Sequence, residues 1–62
     1  MKNKILELRK RQGFTQAELA KKCNVSRQTI NAIENDRYDP TLRLAFKIAN
    51  VLQTTVDDVF QP

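Results

Sequence analysis

Histidine and tryptophan are absent from this 62-residue sequence, and cysteine and glycine occur once each. Without histidine there is no Ser–His or Cys–His nucleophile pair and no imidazole metal ligand. A lone cysteine, Cys23, makes no internal disulfide, which points to a reducing, cytoplasmic setting. A lone glycine, Gly13, leaves neither a Walker loop nor a dinucleotide-binding fingerprint to be written. Long apolar runs are missing as well. The longest, Leu44-Ala45-Phe46, is far too short for a membrane span or a signal-peptide core. No metal, cofactor or membrane partner is therefore expected, and an enzyme has no constellation to work with. What remains is a binding module.

The chain is 40% hydrophobic and 29% charged, which fits one small domain over residues 1–62. A core of this size supplies only about 3–5 kcal/mol, so self-association would help. The net charge is +4, and it is unevenly placed. Residues 1–37 carry nine basic side chains against four acids, whereas residues 38–62 carry Arg43 and Lys47 against Asp39, Asp57 and Asp58. The first part is where a polyanion footprint is to be sought, the second where packing or self-contact is. A modest basic excess is also what a solvated surface looks like, so charge alone decides little.

Helix signals recur at short intervals, and period-2 alternation is absent. Ile5 and Leu8 repeat within 4–12, and Gly13 supplies a left-handed stop. Thr15 with Glu18 is a capping box opening a helix through about Lys22, with Leu19, Ala20 and Cys23 inward. Asn24 tolerates positive φ, and Val25 can plug the corner that follows. Ser26 caps 27–34, where Ile30 and Ile33 share a face. Residues 35–40 read as a loop, in which Pro40 forces Asp39 to be extended. Thr41 caps a fourth helix through about Leu52 that is apolar almost all round, a pattern suited to the middle of a bundle or to a subunit contact. Thr55 and Asp58 suggest another capping box over a last turn, 56–60, whose adjacent carboxylates Asp57 and Asp58 suit the helix dipole better than a metal. The expected fold is an all-α five-helix bundle.

Its informative part is 16–34. Two short helices joined by a tight bend make a helix-turn-helix, crossing at about 90–120°. The second can enter the DNA major groove while the first lies across the backbone. With Ile30 and Ile33 inward, Arg27, Gln28 and Asn31 face outward. Arg is suited to guanine O6/N7, and Gln or Asn to adenine N6/N7. Such residues also populate ordinary solvated faces, but those more often carry Glu and Lys at i, i+4, and this face has no acid before Glu34.

Thr15-Gln16-Ala17-Glu18-Leu19-Ala20, Val25-Ser26-Arg27-Gln28-Thr29-Ile30 and Ile33-Glu34-Asn35 together resemble the helix-turn-helix domain of phage repressors and Cro. The continuation Tyr38-Asp39-Pro40-Thr41-Leu42, Leu44-Ala45 and Lys47-Ile48-Ala49 is similar to very short stand-alone bacterial repressors of the cytolysin-regulator type. The likeness covers residues 3–60. Asn24 stands where many relatives have Gly, and the terminal β-ribbon of the cytolysin type is expected to be a stub or absent. The resemblance implies that Gln16 clamps a DNA phosphate and packs near the recognition helix, that Gln28 reads an adenine and that Arg27 sets operator preference. Ser26 and Thr29 become candidate phosphate or thymine-methyl contacts, and Asn35, Arg37 and Tyr38 candidates for holding the backbone; Tyr38 alternatively covers the core. Arg9 and Glu34 match residues that relatives join in a partly buried ion pair, a structural role.

The function expected is a homodimeric, sequence-specific repressor that occupies an inverted-repeat operator in double-stranded DNA, with no sensor domain of its own. The alternative is an antitoxin-like or adaptor module that caps a protein partner, which would not need Gln16, Arg27, Gln28 and Asn31 on one face. For the dimer the expected contact lies in 51–60, through Val56, Val59 and Phe60, because Phe60 so near the end would otherwise fray and expose an aromatic ring. The competing role for these three is to close the monomer core.

Overall fold

Four threonine or serine caps lay out the chain in the computed structural model, which describes residues 1–61. The order of elements is β1 (Lys2–Asn3), α1 (Ile5–Gln12), α2 (Gln16–Cys23), α3 (Arg27–Glu34), α4 (Leu42–Val51), α5 (Val56–Val59) and β2 (Phe60–Gln61). Thr15 Oγ1 accepts from the Glu18 N–H while Glu18 Oε1 accepts from the Thr15 N–H at 2.9 Å, so the expected capping box opens α2. Ser26 and Thr41 accept in the same way from Thr29 and Leu44, at 3.2 Å each, satisfying donors that a helix start leaves unpaired. At α5 only half of the expected box forms. Thr55 accepts from the Asp58 N–H, but the Asp58 carboxylate accepts from the Thr54 hydroxyl instead of reaching back to the Thr55 N–H. The shorter Asp side chain favours that nearer donor.

α1 starts one residue later than expected and lacks a cap from Lys4; Asn3 Oδ1 accepts from the Ile5 N–H in its place. It ends at Gly13, φ 79°, where an added Cβ would meet no neighbour, so the need for glycine is conformational rather than spatial. Asn24 closes α2 in the same left-handed region, φ 62°, as its residue type suggested. Asp36, of a type that tolerates this region, and Gln53, of a type that does not favour it, adopt it too.

The inward faces meet in one core of Ile5, Leu19, Ala20, Cys23, Ile30, Ile33, Leu44, Ala45, Ile48, Ala49, Leu52, Val59 and Phe60. Leu8, Phe14, Val25, Val51 and Val56 pack against it, with Val25 in the corner between α2 and α3. Burial pushes the Cys23 thiol up from its ordinary value, which keeps it a neutral core group. α4 is not buried all round: Leu44, Ala45, Ile48 and Ala49 face the core, while Leu42 and Phe46 stay largely in solvent.

The C-terminus departs most from expectation. α5 stops at Val59, and Phe60 turns to extended backbone that pairs antiparallel with β1, Asn3 opposite Phe60 and Lys2 opposite Gln61. Lys4 N–H also donates to the Val59 carbonyl at 2.8 Å. The expected fraying of Phe60 does not occur: pairing with β1 ties down its backbone and the ring is buried, as is Val59. Both residues close the monomer core, and Val56 is half-buried beside them. Among the described residues no helix is long and apolar enough to cross a membrane.

Candidate nucleic-acid interface

α2 and α3 pack on each other across the three residues Asn24, Val25 and Ser26, the arrangement a helix-turn-helix requires. Burial of Ile30 and Ile33 fixes the rotation of α3, so Arg27, Gln28 and Asn31 lie exposed on its opposite side, near its N-terminal end. The expected reading face is therefore present as one surface. Its N-terminal turn also carries the positive end of the helix dipole, which favours an approaching phosphate.

Gln16, first residue of α2, reaches this face through its side chain. Gln16 Oε1 accepts from Asn31 Nδ2 at 3.3 Å, and Gln16 Nε2 donates to Glu34 Oε2. Glu34 in turn accepts from Arg9 Nε at 3.0 Å and from Arg9 Nη2 at 3.4 Å, while Arg9 Nη1 donates to the Phe14 carbonyl at 2.9 Å. Only 11% of the Arg9 side chain and 8% of the Glu34 side chain are exposed, so the resemblance-derived ion pair is present behind α3. The chain Arg9–Glu34–Gln16–Asn31 thus links α1, α2 and α3. Residue types alone gave no sign of its Gln16 links. Gln16 and Glu34 stand 18 positions apart, and only the docking of α2 on α3 joins them.

This link changes what two of the expected contacts have to offer. The Gln16 amide keeps one N–H beyond Glu34, enough for a single phosphate oxygen. Asn31 spends one N–H on Gln16 and keeps its carbonyl oxygen and its other N–H for a base edge. Arg27 and Gln28 are exposed. Ser26 and Thr29 share a hydroxyl hydrogen bond of 2.9 Å, so the pair retains one donor for a phosphate. Asn35 donates from Nδ2 to the Asn31 carbonyl at 2.8 Å, and its first duty is to close the end of α3. Arg37 and Tyr38 stand exposed on the loop that follows, held by the Arg37 N–H donating to the Ala32 carbonyl at 2.8 Å. Tyr38 is 49% exposed, so it is no full cover for the core. Asn3 steadies the start of the same loop, donating to the Ile33 carbonyl and to Asp36. Arg27, Gln28, Asn31, Gln16, Ser26 and Thr29 thus gather on the α2–α3 unit, whereas Asn35, Arg37 and Tyr38 follow from the far end of α3.

Comparison with known proteins agrees with this geometry. The helix-turn-helix family model matches residues 5–59. An uncharacterized HTH-type transcriptional regulator of Methanocaldococcus jannaschii is 53% identical over 60 residues, 97% of this chain and 91% of the relative. The immunity repressor of Bacillus phage phi105 is 38% identical over 90% of this chain and 39% of its own length. The biofilm master regulator SinR, solved in complex with DNA, superposes with a TM-score of 0.77 at 30% identity, with 84% of each chain covered. The chain spans 57% and 52% of two longer solved chains that it also matches. With five helices, a short strand pair and this α2–α3 unit among its described residues, the chain belongs to the helix-turn-helix family of DNA-binding transcriptional regulators.

Proposed function

We propose that this single domain acts in the cytoplasm, without a cofactor or catalytic step, as a repressor. In this reading it binds an inverted-repeat operator in double-stranded DNA as a homodimer, with α3 of each copy in the major groove. The observation that carries the proposal is the hydrogen bond between Asn31 and Gln16, which joins a base-edge residue to a phosphate-reaching residue on adjoining helices. Arg27, Gln28 and Asn31 read base edges; Gln16, Ser26, Thr29, Asn35, Arg37 and Tyr38 hold the sugar-phosphate backbone, which sets register without reading sequence. A symmetric operator calls for a two-fold protein, and occupation of a promoter by so small a body represses by exclusion.

Selection from random double-stranded oligonucleotides with the purified protein tests the whole reading. The expected product is an inverted repeat whose half-site centres lie about 10–10.5 bp apart, or a multiple of that. Failure to enrich any sequence would overturn it, and enrichment of a lone unpaired half-site would overturn the dimeric part.

A further inference from the structure

We propose that the outer face of α4, built on Leu42 and Phe46, is where two copies of this chain meet. The inference rests on the homodimer reading above and gives it a location different from the C-terminal tip, whose Val59 and Phe60 are already used by the monomer core. Leu42 is 69% exposed and Phe46 58%, the two most exposed large apolar side chains among the described residues. Scattered exposed leucines are ordinary. These two are one helical turn apart on one face, at i and i+4, with Asn50 continuing the stripe.

The shape of this face suits a second copy of itself. Phe46 borders two shallow depressions. One, of about 460 Å³, is lined by Leu42, Arg43, Phe46, Lys47 and Asn50. The other, of about 370 Å³, lies between Phe46 and Val56, floored by Ala49 and Asn50. An exposed apolar stripe of this kind can pack on its own copy about a two-fold axis, Leu42 and Phe46 of one against those of the other. Charge permits the contact. The basic excess lies in 1–37, whereas 38–62 places Arg43 and Lys47 on one flank of Phe46 and Asp57 and Asp58 next to Val56 on the other. Antiparallel docking brings the cations of one copy towards the acids of its mate. α4 packs on α2 and α5, and its outer face leaves α3 free for the groove.

Sedimentation equilibrium of the wild-type chain and of the Leu42→Glu/Phe46→Glu double variant tests the location, with circular dichroism as the check on folding. Both residues are exposed, so helicity should be unchanged. The dimer dissociation constant should rise at least tenfold, and the variant should bind a full operator no more tightly than a half-site. A folded variant that dimerises like the wild type would overturn the α4 face and leave the homodimer standing. A wild-type chain that is monomeric in solution and fills half-sites independently would overturn both, leaving the stripe to a different protein.

Discussion

Glu34 is the residue on which the proposed reading face depends, since its carboxylate accepts from both Arg9 and Gln16. With side chains only 11% and 8% exposed, Arg9 and Glu34 form a pair that solvent screens little. Removing one member of such a pair leaves a buried charge uncompensated, whereas replacing both by apolar groups is far milder. Glu34→Ala is therefore expected to cost about 3–5 kcal/mol, comparable to the entire stability of a chain this short. The Arg9→Met/Glu34→Leu double variant should recover much of that. Urea unfolding followed by circular dichroism measures both, and additive losses in the double variant would show that the two residues are not coupled. The pair was legible through family resemblance, and the exposed Arg27, Gln28 and Asn31 through helical spacing. The same resemblance put Gln16 beside α3, but its particular hydrogen bonds to Glu34 and Asn31 were not legible, because they depend on how α2 docks against α3 and no local pattern encodes that.

At the scale of the element, short-range signals decide most boundaries. The α2 box illustrates why: donor and acceptor lie three residues apart, so one turn of helix brings them together. The Thr15 backbone N–H and hydroxyl hold the Glu18 carboxyl below its ordinary value. A carboxyl with a depressed folded pKa contributes stability above its unfolded pKa, and loses that contribution as pH falls through the folded one. Thermal melts of wild type and Glu18→Gln between pH 7 and pH 3 should therefore converge as the pH drops, with the wild type the more stable only at the upper end. A constant gap would mean that the carboxylate's charge adds nothing to the box. Signals of this reach explain Thr15, Ser26, Thr41, Gly13 and Asn24, each read correctly from its neighbours. They fail at Phe60, whose partner Asn3 lies at the opposite end of the chain. A two-residue strand has no alternation to display, so only closure of the whole bundle defines it. The outer side of α4, with Leu42 and Phe46, is left open for a related reason: an apolar stripe says that contact is wanted, not whether the partner is the same molecule.

For the molecule as a whole, the polarity of charge is what DNA would meet first. Residues 1–37 carry the basic excess and include α2 and α3, while the near-neutral remainder carries the proposed contact between copies. Long-range attraction thus orients the reading face towards a polyanion before any specific contact forms. Once bound, the proposed backbone contacts divide into two kinds. Gln16, Ser26, Thr29, Asn35 and Tyr38 are neutral donors, and a neutral hydrogen bond to phosphate displaces few condensed counterions. Arg37 is the one cation in that set, and it stands exposed on the loop after α3. Log affinity for duplex DNA falls against log salt with a slope of about −0.9 per phosphate neutralised. Arg37→Ala should therefore flatten the slope by about 0.9 for each copy bound, close to twice that for a dimer. Gln16→Ala should weaken binding at every salt concentration by a similar factor and leave the slope where it was. Neither change should alter sequence preference, since both residues are proposed to hold the backbone rather than base edges. Titration of a fluorescent operator and of an unrelated duplex between 50 and about 200 mM salt resolves the two behaviours, that range being wide enough to separate slopes differing by one phosphate. A slope unaffected by Arg37→Ala would take Arg37 away from the phosphates, and a slope flattened by Gln16→Ala would show that loss of the clamp pulls charged neighbours off the DNA with it.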